Sequence, residues 1–81
     1  MNINKPIAIL GSTGSIGTQS IDVAEKNNIP VVALSAHKNT NLVEAQARKL
    51  NVKACAMSDP SAANDLKTKL ADTDIKVFSG I

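Results

Sequence analysis

The sequence predicts an α/β fold: part of a doubly wound parallel sheet with crossover helices and the strand order 3-2-1-4. Apolar runs alternate with helix-period patterns in a βαβαβαβ order, which argues for parallel strands joined by helical crossovers. The first run, Ile7-Ala8-Ile9-Leu10, breaks into Gly11-Ser12-Thr13-Gly14-Ser15-Ile16-Gly17 and then reads as a helix. Right-handed crossovers, with that glycine turn placed at a switch point, yield the strand order.

Strands are expected at Pro6 to Leu10, Val31 to Ala36, Lys53 to Met57 and Ile75 to Ser79. Helix one runs from about Ser15 to Asn27, with Ile16, Ser20 and Val23 or Ala24 at the spacing of a buried face. Asn27-Asn28 ends it and Pro30 prevents its continuation. Helix two takes Thr40 or Asn41 as its cap and runs to Leu50, turning Leu42, Val43, Ala47 and Leu50 to the sheet. Helix three has the clearest start, with Ser58 or Asp59 as cap, Pro60 in the first turn, then Ala62, Ala63, Leu66 and Leu70 inward.

Composition excludes several classes. The chain has 81 residues, 43% of them hydrophobic, and a net charge of +2, which suits one small globular unit and neither a disordered tail nor a nucleic-acid patch. No apolar run approaches the ~18 residues of a membrane span, and Met1 to Lys5 is too short for a leader, so a cytoplasmic location is expected. The single cysteine, Cys55, lies in the apolar stretch Ala54-Cys55-Ala56-Met57 and reads as a buried strand thiol. Asp22 and Glu25 read as exposed helix charges, and Glu44 with Arg48 as a solvent-facing pair worth only ~0.3 kcal/mol. Because the chain stops just after the fourth strand, that strand is expected at an open edge and residues 1–81 are read as the amino-terminal fragment of a larger enzyme.

A strand that turns through glycines into a helix N-terminus makes a phosphate site, because unpaired backbone N–H groups and the helix dipole converge there. Gly11 allows a tight turn, Gly14 an approach of backbone to a pyrophosphate, and Gly17 a close pass of the helix against the sheet. Ser12, Thr13 and Ser15 add hydroxyls that can donate to phosphate or cap the helix. The spacing G-x-x-G-x-x-G departs from the standard dinucleotide fingerprint. A P-loop is rejected, since no lysine occurs between Lys5 and Lys26.

The end of strand two indicates which dinucleotide. An NAD site places an acid there for the adenosine ribose, but no acid occurs between Val31 and Leu42. Lys38 offers a salt-bridge partner to a 2′-phosphate, with His37, Asn39 and Thr40 as donors. NADP(H) is favoured over NAD(H).

The heptapeptide Gly11 to Gly17, followed by Ile21-Asp22-Val23, Val32-Ala33-Leu34-Ser35-Ala36-His37-Lys38-Asn39 and Val77-Phe78-Ser79-Gly80, resembles the amino-terminal region of the 1-deoxy-D-xylulose 5-phosphate reductoisomerases. The resemblance covers nearly the whole chain. It implies a Rossmann-like NADPH-binding domain of an oxidoreductase that converts 1-deoxy-D-xylulose 5-phosphate to 2-C-methyl-D-erythritol 4-phosphate in non-mevalonate isoprenoid biosynthesis. It further implies that Thr13, Gly14, Ser15 and Ile16 contact the cofactor phosphates and nicotinamide side, and that Lys38 and Asn39 hold the 2′-phosphate. Glycine is common before the Lys-Asn pair in that family; His37 stands here and offers a donor or a surface for adenine.

The divalent metal that the resemblance implies, magnesium or manganese, and the phosphorylated sugar belong to residues downstream. Asp59, Asp65, Asp72 and Asp74 match caps and turns instead. No catalytic residue is expected in this chain, which alone should be inactive and should self-associate through the edge of strand four. Two alternatives stay open: the cofactor domain of another NADP-dependent oxidoreductase of the aspartate-semialdehyde dehydrogenase type, and a non-catalytic dinucleotide-sensing module.

Overall fold

A computed structural model describes residues 5–80. Met1 to Asn4, most of the segment judged too short for a leader, and Ile81 lie outside the described residues. The elements follow the expected order: β1 (Ile7–Leu10), α1 (Ser15–Lys26), β2 (Val31–Ala36), α2 (Thr40–Leu50), β3 (Ala54–Met57), α3 (Pro60–Lys69) and β4 (Lys76–Ser79). The boundaries obey local chemistry. Asp59 caps α3 by accepting from the Ala62 N–H at 2.9 Å, with Pro60 directly after it, where its missing N–H costs nothing. Asn28 and Asn51 take left-handed conformations after α1 and α2, a geometry asparagine tolerates and most residues avoid.

The strands are all parallel, and their order is β1-β2-β3-β4. This corrects the expected 3-2-1-4. Only residues 71–75 separate the end of α3, capped by Leu70, from β4, and the Thr73 hydroxyl, bonded to the Leu70 carbonyl and to the Ile75 N–H, turns the chain straight back beside β3. Turned back at that point, β4 pairs with the free edge of β3, the Lys76 N–H donating to the Lys53 carbonyl. Among the described residues β1 and β4 are therefore the two edges, and the glycine turn leaves an edge strand.

Every crossover steps in the same direction, and right-handed crossovers of one sense lay their helices on one face of the sheet. One core results. Ile9, Leu34, Cys55 and Met57 of the sheet pack with Ile21 and Ala24 of α1, Val43 and Ala47 of α2, and Ala63, Leu66 and Leu70 around α3. Each large side chain so buried contributes roughly 1.5–3 kcal/mol. The opposite face carries Ala8, Leu10, Ala33, Ala54, Ala56 and Phe78 in paired register, with Leu10 76% and Phe78 53% exposed.

The buried face of α1 also differs from expectation. Gly17, Ile21 and Ala24 point inward, whereas Ile16 is 81% and Val23 54% exposed. Both stripes have helical spacing; the one bearing glycine wins because the helix passes against the turn that precedes it. A Cβ at Gly17 would run into the Gly11 carbonyl and lie 2.8 Å from Ser12 Cα. Gly17 thus serves contact with the turn itself, not with the sheet at large. On α2, Leu42 is exposed and Gln46 takes the third inward position beside Val43 and Ala47.

Candidate functional site

The glycine turn sits at the carboxyl end of β1. Gly11 has φ +66°, which a glycine adopts without strain, and its carbonyl accepts from the Gly14 N–H at 3.0 Å. Gly14 is the N-cap of α1, yet no side chain caps this helix. A Cβ at Gly14 would meet only the Gly11 carbonyl oxygen, at an ordinary 3.5 Å. The fold therefore tolerates a side chain here, and the space in front of the first turn stays open. With no cap, the first N–H groups of α1 face outward, beside Thr13, Ser15 and the exposed Ile16, and a polyanion is their natural complement.

Ser12 departs from its expected role. It is completely buried, its hydroxyl has no hydrogen-bond partner, and it neither caps α1 nor faces the open space. Its backbone is held from both sides instead. Its N–H donates to the Ser35 carbonyl at 2.9 Å, and its carbonyl accepts from Gln46 Nε2 at 2.8 Å. The Ser35 hydroxyl also accepts from the Gly11 N–H at 3.4 Å. Neither Ser35 nor Gln46 entered the sequence reading as a site residue. A glutamine interrupting the apolar stripe of α2 was the available signal for Gln46.

Because Ser35 lies in β2 opposite Leu10, these bonds tie the glycine turn to the strand that delivers His37, Lys38 and Asn39. The two expected groups thus share one rim, at the carboxyl ends of β1 and β2. Lys38 is exposed and, among the described residues, forms no salt bridge. His37 Nδ1 lies 2.6 Å from the Ser58 hydroxyl. The Ser58 and Asp59 N–H groups donate to the Ala36 and His37 carbonyls, which adds the β3–α3 loop to the rim.

Asn39, and neither Thr40 nor Asn41, caps α2, its Oδ1 accepting from the Leu42 N–H at 3.3 Å; its amide nitrogen is left to face outward as a donor. The Thr40 hydroxyl is committed to Asp65 at 2.7 Å, which removes it from the donors expected for a 2′-phosphate.

Asp22, Glu25, Glu44 and Asp72 serve structure. Arg48 reaches Glu44, Asp72 and the Lys69 carbonyl, so the expected surface pair is one arm of a clasp between α2 and the turn after α3. Hydrogen bonds from Arg48 hold the Asp72 carboxyl below the ordinary carboxylate range. Glu25 pairs with Lys49 at 3.3 Å, and Asp22 with Lys26 at 3.0 Å. Among the described residues no three His, Cys, Asp or Glu side chains converge to hold a metal ion. Cys55 is buried on the helix-covered face, and burial pushes its thiol up to about 11. No described helix is long and apolar enough to cross a membrane.

The glycine turn between a parallel strand and an uncapped helix is the strand–turn–helix unit of the Rossmann-type folds, set here on an edge strand among the described residues. A family model described as 1-deoxy-D-xylulose 5-phosphate reductoisomerase matches residues 7–81, and the chain belongs to that family. Proteins of that name from Acetivibrio thermocellus and Agathobacter rectalis are each 51% identical to it, over 93% and 95% of the chain. Among solved structures, the reductoisomerase from Zymomonas mobilis in complex with NADPH superposes with a TM-score of 0.88 at 35% identity over 95% of the chain. A reductoisomerase in complex with NADPH, fosmidomycin and magnesium superposes at 0.86 with 28% identity over 94%. The chain spans about a fifth of the length of these relatives. Family membership decides against the aspartate-semialdehyde dehydrogenase type.

Proposed function

We propose that this chain is the amino-terminal NADPH-binding part of an enzyme that converts 1-deoxy-D-xylulose 5-phosphate to 2-C-methyl-D-erythritol 4-phosphate. The observation that carries the reading is the uncapped start of α1, open at Gly14 and joined through Ser35 to the strand that presents Lys38. Backbone N–H groups of Thr13, Ser15 and Ile16 bind the pyrophosphate, Gly14, whose own N–H is held by the Gly11 carbonyl, lets it approach, Gly11 shapes the turn, and exposed Ile16 borders the nicotinamide side. Lys38 and the amide nitrogen of Asn39 hold the 2′-phosphate. His37, steadied by Ser58, supplies a further donor or a surface for adenine.

Bound NADPH supplies the hydride; the residues here hold and orient it. The divalent metal, magnesium or manganese, and the phosphorylated sugar are met by the remainder of the enzyme, so residues 1–81 alone bind cofactor without turning over substrate. Both NADPH and a sugar phosphate are charged molecules of the aqueous interior, and the cytoplasm is the compartment proposed. The isolated chain, with its apolar sheet face and the β4 edge uncovered, self-associates.

Titration of the protein with NADPH and NADH tests the reading directly. NADPH binding is expected to exceed NADH binding, and Gly14→Val to abolish both in a folded protein. Equal NADPH affinity of wild type and folded Gly14→Val overturns it.

A further inference from the structure

Beneath the glycine turn two polar groups are buried without full satisfaction. Gln46 is 8% exposed and Ser12 fully buried; Gln46 Oε1 and Ser12 Oγ have no hydrogen-bond partner. An orphaned amide oxygen in the core is costly, and its neighbours on the inward stripe, Val43 and Ala47, are apolar. A methionine or leucine at position 46 would fill the same space and remove the orphaned amide oxygen, but it would leave the Ser12 carbonyl without its partner. What the amide supplies and an apolar side chain cannot is the 2.8 Å bond from Nε2 to the Ser12 carbonyl.

That bond has a specific geometrical effect. Ser12 is one residue past the left-handed Gly11 and two residues before Gly14, and its N–H is already held by the Ser35 carbonyl. Fixing its carbonyl as well sets the Ser12–Thr13 peptide plane, and with it the direction of the Thr13 N–H at the mouth of the turn. Without the bond the plane can rotate, and a flip of this kind would turn an N–H away and a carbonyl toward the open space. A carbonyl facing a polyanion repels it; an N–H attracts it.

We infer that Gln46 is a positioning residue for cofactor binding: from α2, without touching the ligand, it locks the peptide planes of the turn into an anion-accepting orientation. The inference rests on the proposed NADPH reading. Because Gln46 acts on the part of the site that both dinucleotides share, its loss lowers the affinity for NADPH and NADH by the same factor, unlike a loss at Lys38.

The test compares Gln46→Leu and Gln46→Met in the full-length protein by titration with NADPH and NADH, by thermal unfolding, and by amide hydrogen exchange without ligand. Both variants are expected to remain folded at the titration temperature and to bind each dinucleotide about tenfold more weakly. Exchange should accelerate at Ser12 and Gly14, whose N–H groups are bonded within the turn region, and stay unchanged at Val52 and Ser58. Unchanged affinities in a folded variant, losses that differ between NADPH and NADH, or unfolding of both variants would overturn the assignment. Should wild type bind neither dinucleotide, the NADPH reading falls, while the exchange comparison still decides whether Gln46 holds the turn.

Discussion

The N-termini of α1 and α3 solve the same problem in opposite ways. Each helix begins with N–H groups that have no partner within the helix. At α3 the chain satisfies them itself, with the Asp59 carboxylate on the Ala62 N–H and Pro60 removing one donor. At α1 it supplies Gly14, no side-chain cap and no acid in the first turn, although Ser12, Thr13 and Ser15 stand close by in sequence. A capped terminus is finished without a ligand; an uncapped one keeps its electrostatic demand for whatever binds there.

The contrast can be broken most severely at Gly17. Gly17→Ala places a methyl against the Gly11 carbonyl and Ser12 Cα, which forces α1 off the turn; overpacking of this kind costs ~1–3 kcal/mol and more where backbone is the obstacle. The expected result is a large fall in unfolding midpoint by circular dichroism, with the turn displaced. Gly14→Asp makes α1 resemble α3. Gly14 already has the extended conformation of an N-cap, φ −80° and ψ 173°, so the carboxylate should cap the helix and raise its stability by roughly 0.3–1 kcal/mol. The same carboxylate repels pyrophosphate, and NADPH affinity should fall at least a hundredfold in calorimetry. A stabilised variant that kept its affinity would show that the open terminus is not a phosphate site.

Lys38→Ala sharpens the comparison, since the contact proposed for Lys38 lies at the far end of the cofactor. Loss of about 1–3 kcal/mol of NADPH binding is expected, with NADH nearly unaffected; equal losses would remove the 2′-phosphate from Lys38. Asp59→Ala, at the finished terminus, should cost about 1 kcal/mol of stability and leave cofactor affinity unchanged. The smallest effect belongs to Asp72, whose carboxyl Arg48 holds below its ordinary range. A carboxylate depressed in the folded state adds stability above its unfolded pKa, and that share disappears as pH falls through the folded value. Wild type should therefore exceed Asp72→Asn slightly in unfolding midpoint at neutral pH, and the gap should close in acid. Both partners lie at the surface, so only this small gap is expected.

What could be read from sequence was whatever is decided within a few residues. The strands, the Asp59-Pro60 start of α3 and the Gly11 turn depend on local chemistry, and the structure places each where the residues indicate. The face of α1 was ambiguous because two stripes share the helical period, and only contact with Gly11 and Ser12 chooses Gly17, Ile21 and Ala24. Strand order turned on the link from Leu70 to Lys76, whose path depends on the Thr73 turn and on α3 packing beside α2. Ser35 and Gln46 act on Ser12 across 23 and 34 positions of sequence, a distance that no local pattern spans. At position 39 the residue was singled out, but as a ligand donor and not as the cap it also is.

Strand order in the sheet has a kinetic meaning as well. Each strand pairs with the one before it in the chain, so the fold can grow by addition at one edge as it is synthesised, each β-α unit docking on structure that already exists. No early strand waits for a distant partner to slot between it and its neighbour. The glycine turn benefits first, because β1, α1, β2 and α2 contain all of its described supports, Ser35 and Gln46 included. It can take its shape before α3 and β4 have left the ribosome, and the corner at the carboxyl ends of β1 and β2 is among the earliest finished parts of the described fold.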